Sequence, residues 1–101
     1  MEAAKWYRKA AEQNHAGAQY NLGSCYFNGR GVAKSYVEAY RWAVLASGQG
    51  IEEAKAIMKT LAENMTREQI AEAQRLARNF TPRKSLRSDL FSPLHLTGKT
   101  S

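Results

Sequence analysis

Apolar residues recur at steps of three and four along the chain as far as Phe80, the spacing that lines one face of a helix. The pattern is clearest across residues 18–46. There Ala18, Leu22, Cys25 and Tyr26 share one face, which predicts a helix with that face buried. Gly23 falls inside this helix, where it costs about 1 kcal/mol relative to alanine, so another helix is expected to press close against it. Asn28-Gly29-Arg30-Gly31 ends the helix, with Gly29 suited to the left-handed residue past a helix terminus. Ser35 followed by Glu38 predicts a capping box and a second helix from about Tyr36. Along that helix Ala39, Trp42, Ala43 and Ala46 form a seam of small residues around one large ring, and Gly48-Gln49-Gly50 stops it.

These two helices run at about 15 or 16 to 27 and at about 36–47, and the same reading places others at about 2–13 and at about 51–64, the last with a stripe of Ala54, Ile57, Met58 and Leu61. A fifth helix starts after Thr66, with Gln69 reaching back to the cap and Met65 set to staple against Ile70. Its stripe is Ile70, Ala73, Leu76, Ala77 and Phe80, and Pro82 is expected to end it.

These helices are copies of one unit. Glu2-Ala3 matches Glu38-Ala39, Trp6 matches Trp42, Ala10 matches Ala46 and Gln13 matches Gln49 at one shift (39 − 3 = 36; 42 − 6 = 36), which also takes Ala18 to Ala54 and Leu22 to Met58. Glu72-Ala73, Arg75, Leu76 and Ala77 repeat Glu38-Ala39, Arg41, Trp42 and Ala43 at a shorter shift (73 − 39 = 34), because Asn64-Met65-Thr66 replaces the longer glycine turn. A fixed period of this size is the signature of a helical solenoid, and a shortened unit belongs at an array's end.

The repeated residues resemble the Sel-1-like repeat family, a relative of the tetratricopeptide repeats. The matches are Ala18, Leu22-Gly23, Tyr26, Gly29-Arg30-Gly31-Val32 and Glu38-Ala39-Tyr40-Arg41-Trp42, with Lys5 to Gln19 looking like the junction between units. The resemblance implies an all-α fold of antiparallel helix-turn-helix repeats stacked as a right-handed α-solenoid of about five helices. It covers roughly residues 2–80. It also implies an adaptor or scaffold, and it carries no catalytic residues onto this chain. Some secreted relatives staple each unit with a cysteine pair, whereas Cys25 is the only cysteine here. The first helix reads as the second helix of a unit whose first is absent, so part of its apolar face, including Trp6 or Tyr7, is expected to lack a neighbour, and Met1 is expected to open a fragment of a longer array.

Composition changes this picture mainly at the C-terminus. Residues 1–80 form the expected repeat segment, and residues 81–101 read as a flexible basic and apolar tail with two prolines. Arg83, Lys84, Arg87 and Lys99 against Asp89 (4 − 1 = +3) supply half of the net charge of +6, and Leu86, Leu90, Phe91, Leu94 and Leu96 give the tail an apolar share. Docking on the last helix or plain disorder is the expectation for it, ahead of a short binding motif. The basic balance raises an anionic polymer as a partner, but no stretch sets arginines among aromatics that the repeat does not already need for packing. Nucleic-acid binding is therefore not expected. No apolar run approaches the roughly 20 residues of a membrane span, and the charged N-terminus is not a secretory signal. Nothing in the chain fixes its compartment. It reads as cytoplasmic by default, or as periplasmic or secreted if a signal lies upstream.

Candidate chemistry is sparse. Cys25 falls on an inward stripe, which predicts a buried thiol. His15 and His95 lie in no ligand spacing, so no metal or other cofactor is expected, and His15 reads as a turn residue between units. Gly29-Arg30-Gly31 lacks the pattern of a phosphate loop, and no nucleophile elbow is present. An enzyme with a small-molecule substrate is not expected.

Function is then expected from the surface of the stack. Side chains turned away from the buried stripes are Tyr20, Ser24, Phe27 and Asn28 on the second helix and Ala56, Thr60 and Glu63 on the fourth. They would line a concave groove for a protein or peptide, with Tyr20 and Phe27 either anchoring the partner or padding the neighbouring unit. A second reading makes the chain the positioning arm of a larger regulatory or secreted effector whose activity lies upstream. A third has the basic tail bind anionic polymer. Two copies could also associate through the exposed first helix.

Overall fold

The computed structural model describes residues 2–82, and the proposed tail lies outside the described residues from position 83 on. Five helices follow one another: α1 Glu2–Glu12, α2 Ala16–Asn28, α3 Tyr36–Gly48, α4 Glu53–Ala62 and α5 Arg67–Arg78. All are α-helical, as the three-and-four spacing predicts.

The ends of the helices follow local chemistry. His15 caps α2, its Nδ1 accepting from the Ala18 amide at 3.2 Å, a role the sequence reading gave only to a turn. Gly29 closes α2 in the left-handed conformation with φ 69°, which a side chain would strain. At α3 the Ser35 hydroxyl accepts from the Glu38 amide at 3.2 Å. The reciprocal half of the expected box is not made. The Ser35 amide donates instead to the Tyr26 carbonyl at 3.1 Å, and the Glu38 carboxylate pairs with Arg41 at 2.9 Å. At α5 both halves form: Thr66 Oγ1 accepts from the Gln69 amide at 3.0 Å and Gln69 Oε1 accepts from the Thr66 amide at 2.9 Å. That helix ends at Arg78, before Pro82 acts on it. Phe80 leaves the helical path and sets its ring edge-on against Trp42, with centroids 5.5 Å apart.

The shift of 36 is visible in the backbone. The amides of Gln13, Asn14 and His15 donate to the carbonyls of Ala10, Ala11 and Ala10, and those of Gln49, Gly50 and Ile51 donate to Ala46, Ser47 and Ala46 (49 − 13 = 36; 46 − 10 = 36). Asn14 and Gly50 both take positive φ, at 74° and 97°. At the helix ends Asn28 Nδ2 donates to the Ser24 carbonyl and Asn64 Nδ2 to the Thr60 carbonyl, each at 3.0 Å. The shorter shift shows too, because the Glu38–Arg41 pair recurs as Glu72–Arg75 at 2.6 Å (72 − 38 = 34).

Packing follows from small residues. α1 lies on α2, α2 on α3 and α3 on α4, with α2 beside α4. The core gathers Ala11, Ala18, Leu22, Ala39, Trp42 and Leu61, and Cys25 is buried on the predicted stripe. At Gly23 α2 and α3 pack tightly: a Cβ there would sit 3.2 Å from the Ala39 carbonyl oxygen and 3.5 Å from Trp42 Cβ.

The last unit departs from the first. α5 does not fold back on α4 as α3 does on α2, and packs on α3 instead. The turn between α4 and α5 is shorter than that between α2 and α3, and α4 carries the exposed Lys59 where α2 carries Gly23 (59 − 23 = 36).

Candidate protein-binding surface

The residues expected to face a partner fall on two neighbouring helices in equivalent register. Tyr20 and Ala56, Ser24 and Thr60, and Phe27 and Glu63 are each related by the same shift (56 − 20 = 36; 60 − 24 = 36; 63 − 27 = 36). Ala56 and Thr60 on α4 and Glu63 just past its end are exposed, as is Asn28 at the end of α2, while Ser24 is half-buried. The short side chains of Ser24, Ala56 and Thr60 leave backbone within reach of a ligand. The carbonyls of Ser24 and Thr60 already accept from Asn28 and Asn64, so those two amides are turned back onto their own helices.

The two aromatic rings are only partly available. Tyr20 is half-buried and packs against the cluster of Ala43, Ala46 and Ala54, bridging α2, α3 and α4. Phe27 is half-buried, packs on the main core and lies tilted on Tyr36 with centroids 6.2 Å apart. Both rings therefore fill seams while remaining partly exposed.

Other features were not anticipated. Arg41 lies over the Trp42 ring at 4.5 Å, held there by Glu38. Beside them Glu12, Leu76, Asn79, Phe80 and Thr81 complete a cleft of about 310 Å³. The Trp42 indole N–H is buried with no acceptor among the described residues. A wider cleft of about 460 Å³ lies where the start of α3 meets the start of α5, lined by Lys34, Ser35, Tyr36, Val37 and Gln69. The Glu38–Arg41 spacing signals the first of these on a helix, since residues three apart are neighbours. Nothing in the spacing signals the second, which depends on where α5 lands.

The polar interior is a second surprise. Gln19 is fully buried, and its Nε2 donates to the Ala11 carbonyl at 3.2 Å and to Asn14 Oδ1 at 3.3 Å. Among the described residues no cluster of His, Cys, Asp and Glu side chains has the makings of a metal site, and no helix is long and apolar enough to cross a membrane.

The model of the Sel1 repeat matches the chain over residues 1–15 and 16–51, with its boundary at the turn before α2. No curated protein matches the chain.

Proposed function

The chain belongs to the Sel1 repeat family, whose repeats generally mediate protein–protein interaction, and we propose that it acts as a non-catalytic interaction module that presents the α2–α4 face to a protein or peptide. The observation that carries this reading is the register of the two helices. Ala56, Thr60 and Glu63 are exposed, their counterparts thirty-six positions earlier on the adjacent helix, Tyr20, Ser24 and Phe27, are each partly exposed, and Asn28 is exposed beside them. A periodic, short-chained surface of this kind suits a segment lying across both helices.

Tyr20 and Phe27 support the face without being its free anchors. Tyr20 packs on Ala43, Ala46 and Ala54 and Phe27 on Tyr36, so the part of each ring that stays exposed is held in place and costs little entropy on binding. Changing them to alanine would disturb the core as well as the surface.

The test uses exposed positions instead. The chain and its Asn28→Arg and Thr60→Arg variants are used to recover partners from the source cell, with helical content checked by circular dichroism. Recovery falling about tenfold for a variant that stays folded is the expected result, about 1.4 kcal/mol of binding. Equal recovery by all three chains overturns the assignment of the face.

A further inference from the structure

Leu76 on α5 and Phe80 just past it belong to an apolar stripe, yet both remain half-buried. They border the cleft of about 310 Å³ that Arg41, Trp42 and Thr81 also wall. This wall is short of acceptors. Arg41 donates from Nη2 to Glu38 at 2.9 Å, but its Nε is buried with no acceptor among the described residues, and so is the indole N–H of Trp42. Buried donors left in that state are costly, and most such groups are met by a partner. The Arg41 side chain is still 21% exposed, so its guanidinium can be reached from the cleft. A segment bringing apolar side chains and a carboxylate together therefore suits the site. Thr81, its last wall residue, leads on to Pro82 and the nineteen residues that follow (101 − 82 = 19).

We infer that residues 86–91 of the same chain fill this cleft, with Leu86 and Leu90 against Leu76 and Phe80 and the Asp89 carboxylate accepting from the Arg41 guanidinium. The composition of the segment favours it. Leu86 and Leu90 are four apart, so one helical turn sets them on one side, and Asp89, three after Leu86, falls beside them. Asp89 is also the one carboxylate side chain between Thr81 and Ser101. Tethering favours it further. Arg83-Lys84-Ser85 is a leash of up to about 10 Å from Pro82, and so short a linker gives an effective concentration on the order of 1 mM. A free peptide of the same chemistry competes poorly with that. The cleft lies between α3 and α5 and does not rest on the reading of the α2–α4 face, so either can fail without the other.

The test uses the full chain with Cys25→Ser and with Ser88→Cys carrying a nitroxide, and reads the paramagnetic broadening of backbone amide signals. Broadening at Glu12, Arg41 and Trp42 is expected to exceed that of the other helical residues outside α5, because these three lie far from the label in sequence and meet it only across the cleft. Leu86→Ser with Leu90→Ser is expected to abolish it, and Asp89→Lys to lower the ratio of docked to free segment about threefold, with helical circular dichroism kept in both. The chain with its natural Cys25 gives a second reading: the serine pair should move the Trp42 indole N–H signal and leave that of Trp6 in place. Broadening confined to residues next to the label, or unchanged by the serine pair, overturns the proposal. So does an indole signal of Trp42 that the serine pair leaves unmoved. Broadening that passes from a nitroxide-bearing chain to a label-free chain mixed with it would put the segment of a second copy in the cleft and overturn it equally.

Discussion

Gln49 Nε2 donates to Gln19 Oε1 at 2.9 Å, joining the end of α3 to a buried amide on α2. Gln49 also donates to the Asn14 carbonyl at 3.1 Å, so one side chain ties the turn after α1 to the turn after α3. These two turns are the repeated ones. The clamp therefore fixes the spacing of successive units by hydrogen bonds, while the small-residue seams fix it by contact.

Removing the buried member should be costly. Gln19→Leu keeps the volume but removes the bond from Gln49 to Gln19 Oε1 and the Gln19 donor to the Ala11 carbonyl and Asn14 Oδ1, and is expected to lower stability by about 1–2 kcal/mol. Gln49→Ala is expected to cost less, because its site is exposed to water. Urea denaturation of both single variants and the double variant should return a coupling energy of about 1 kcal/mol. Additive effects would show that the contact carries no energy.

Two helical glycines should respond oppositely to alanine. At Gly23 the new Cβ meets the Ala39 carbonyl oxygen at 3.2 Å, a backbone atom that yields only if α3 moves. Gly23→Ala is expected to destabilise by about 1 kcal/mol despite the better helix propensity, and Gly23→Val by more. At Gly48 nothing lies within 4 Å, so Gly48→Ala should stabilise by up to about 1 kcal/mol. Thermal unfolding of the two alanine variants checks the pair by the sign of each shift.

Phe80 lies against the ring of Trp42, whereas Trp6 is exposed. Phe80→Ala is expected to cost about 1–3 kcal/mol and to shift Trp42 emission to the red, since an edge-on aromatic neighbour is replaced by water. Trp6→Ala should change stability by no more than about 0.5 kcal/mol, as an exposed side chain. Emission spectra and melting of both variants measure this. A larger loss from Trp6→Ala than from Phe80→Ala would contradict the burial of the two rings.

Much of this was legible from residue types and spacing. The stripe of Ala18, Leu22, Cys25 and Tyr26 is buried because the helical period leaves it no other place, and Gly23 marked the close approach in advance. What the spacing did not show were choices between equal local options. Glu38 could return to Ser35 or pair with Arg41, and the ion pair takes it. His15 offered a ring nitrogen where serine or aspartate is the usual cap. The packing of α5 on α3 and the contact of Phe80 with Trp42 join elements distant in sequence, which the spacing within one helix does not reveal. Of the surface residues, Asn28, Ala56, Thr60 and Glu63 are as exposed as the helical wheel suggests, while Tyr20 and Phe27 serve the seams as well, which only the position of the neighbouring helix decides.

The capping box at Thr66 should weigh more than the single cap at Ser35. Thr66→Ala removes one arm and frees the other, and is expected to cost about 1–2 kcal/mol, against about 1 kcal/mol for Ser35→Ala. Amide hydrogen exchange localises the effect: the first turn of α5 should lose protection in the former and the first turn of α3 in the latter. Loss spread evenly over all helices would show that neither cap acts locally.

The most direct measurement of the α2–α4 face as the binding surface is photocrosslinking from single positions. Benzoylphenylalanine is placed at Thr60 on that face, or at Gln74, which is exposed on α5, and each chain is mixed with a partner recovered by the unsubstituted protein. The account predicts a crosslinked product from position 60 and little or none from position 74. Equal crosslinking from both, or crosslinking from position 74 alone, would contradict it.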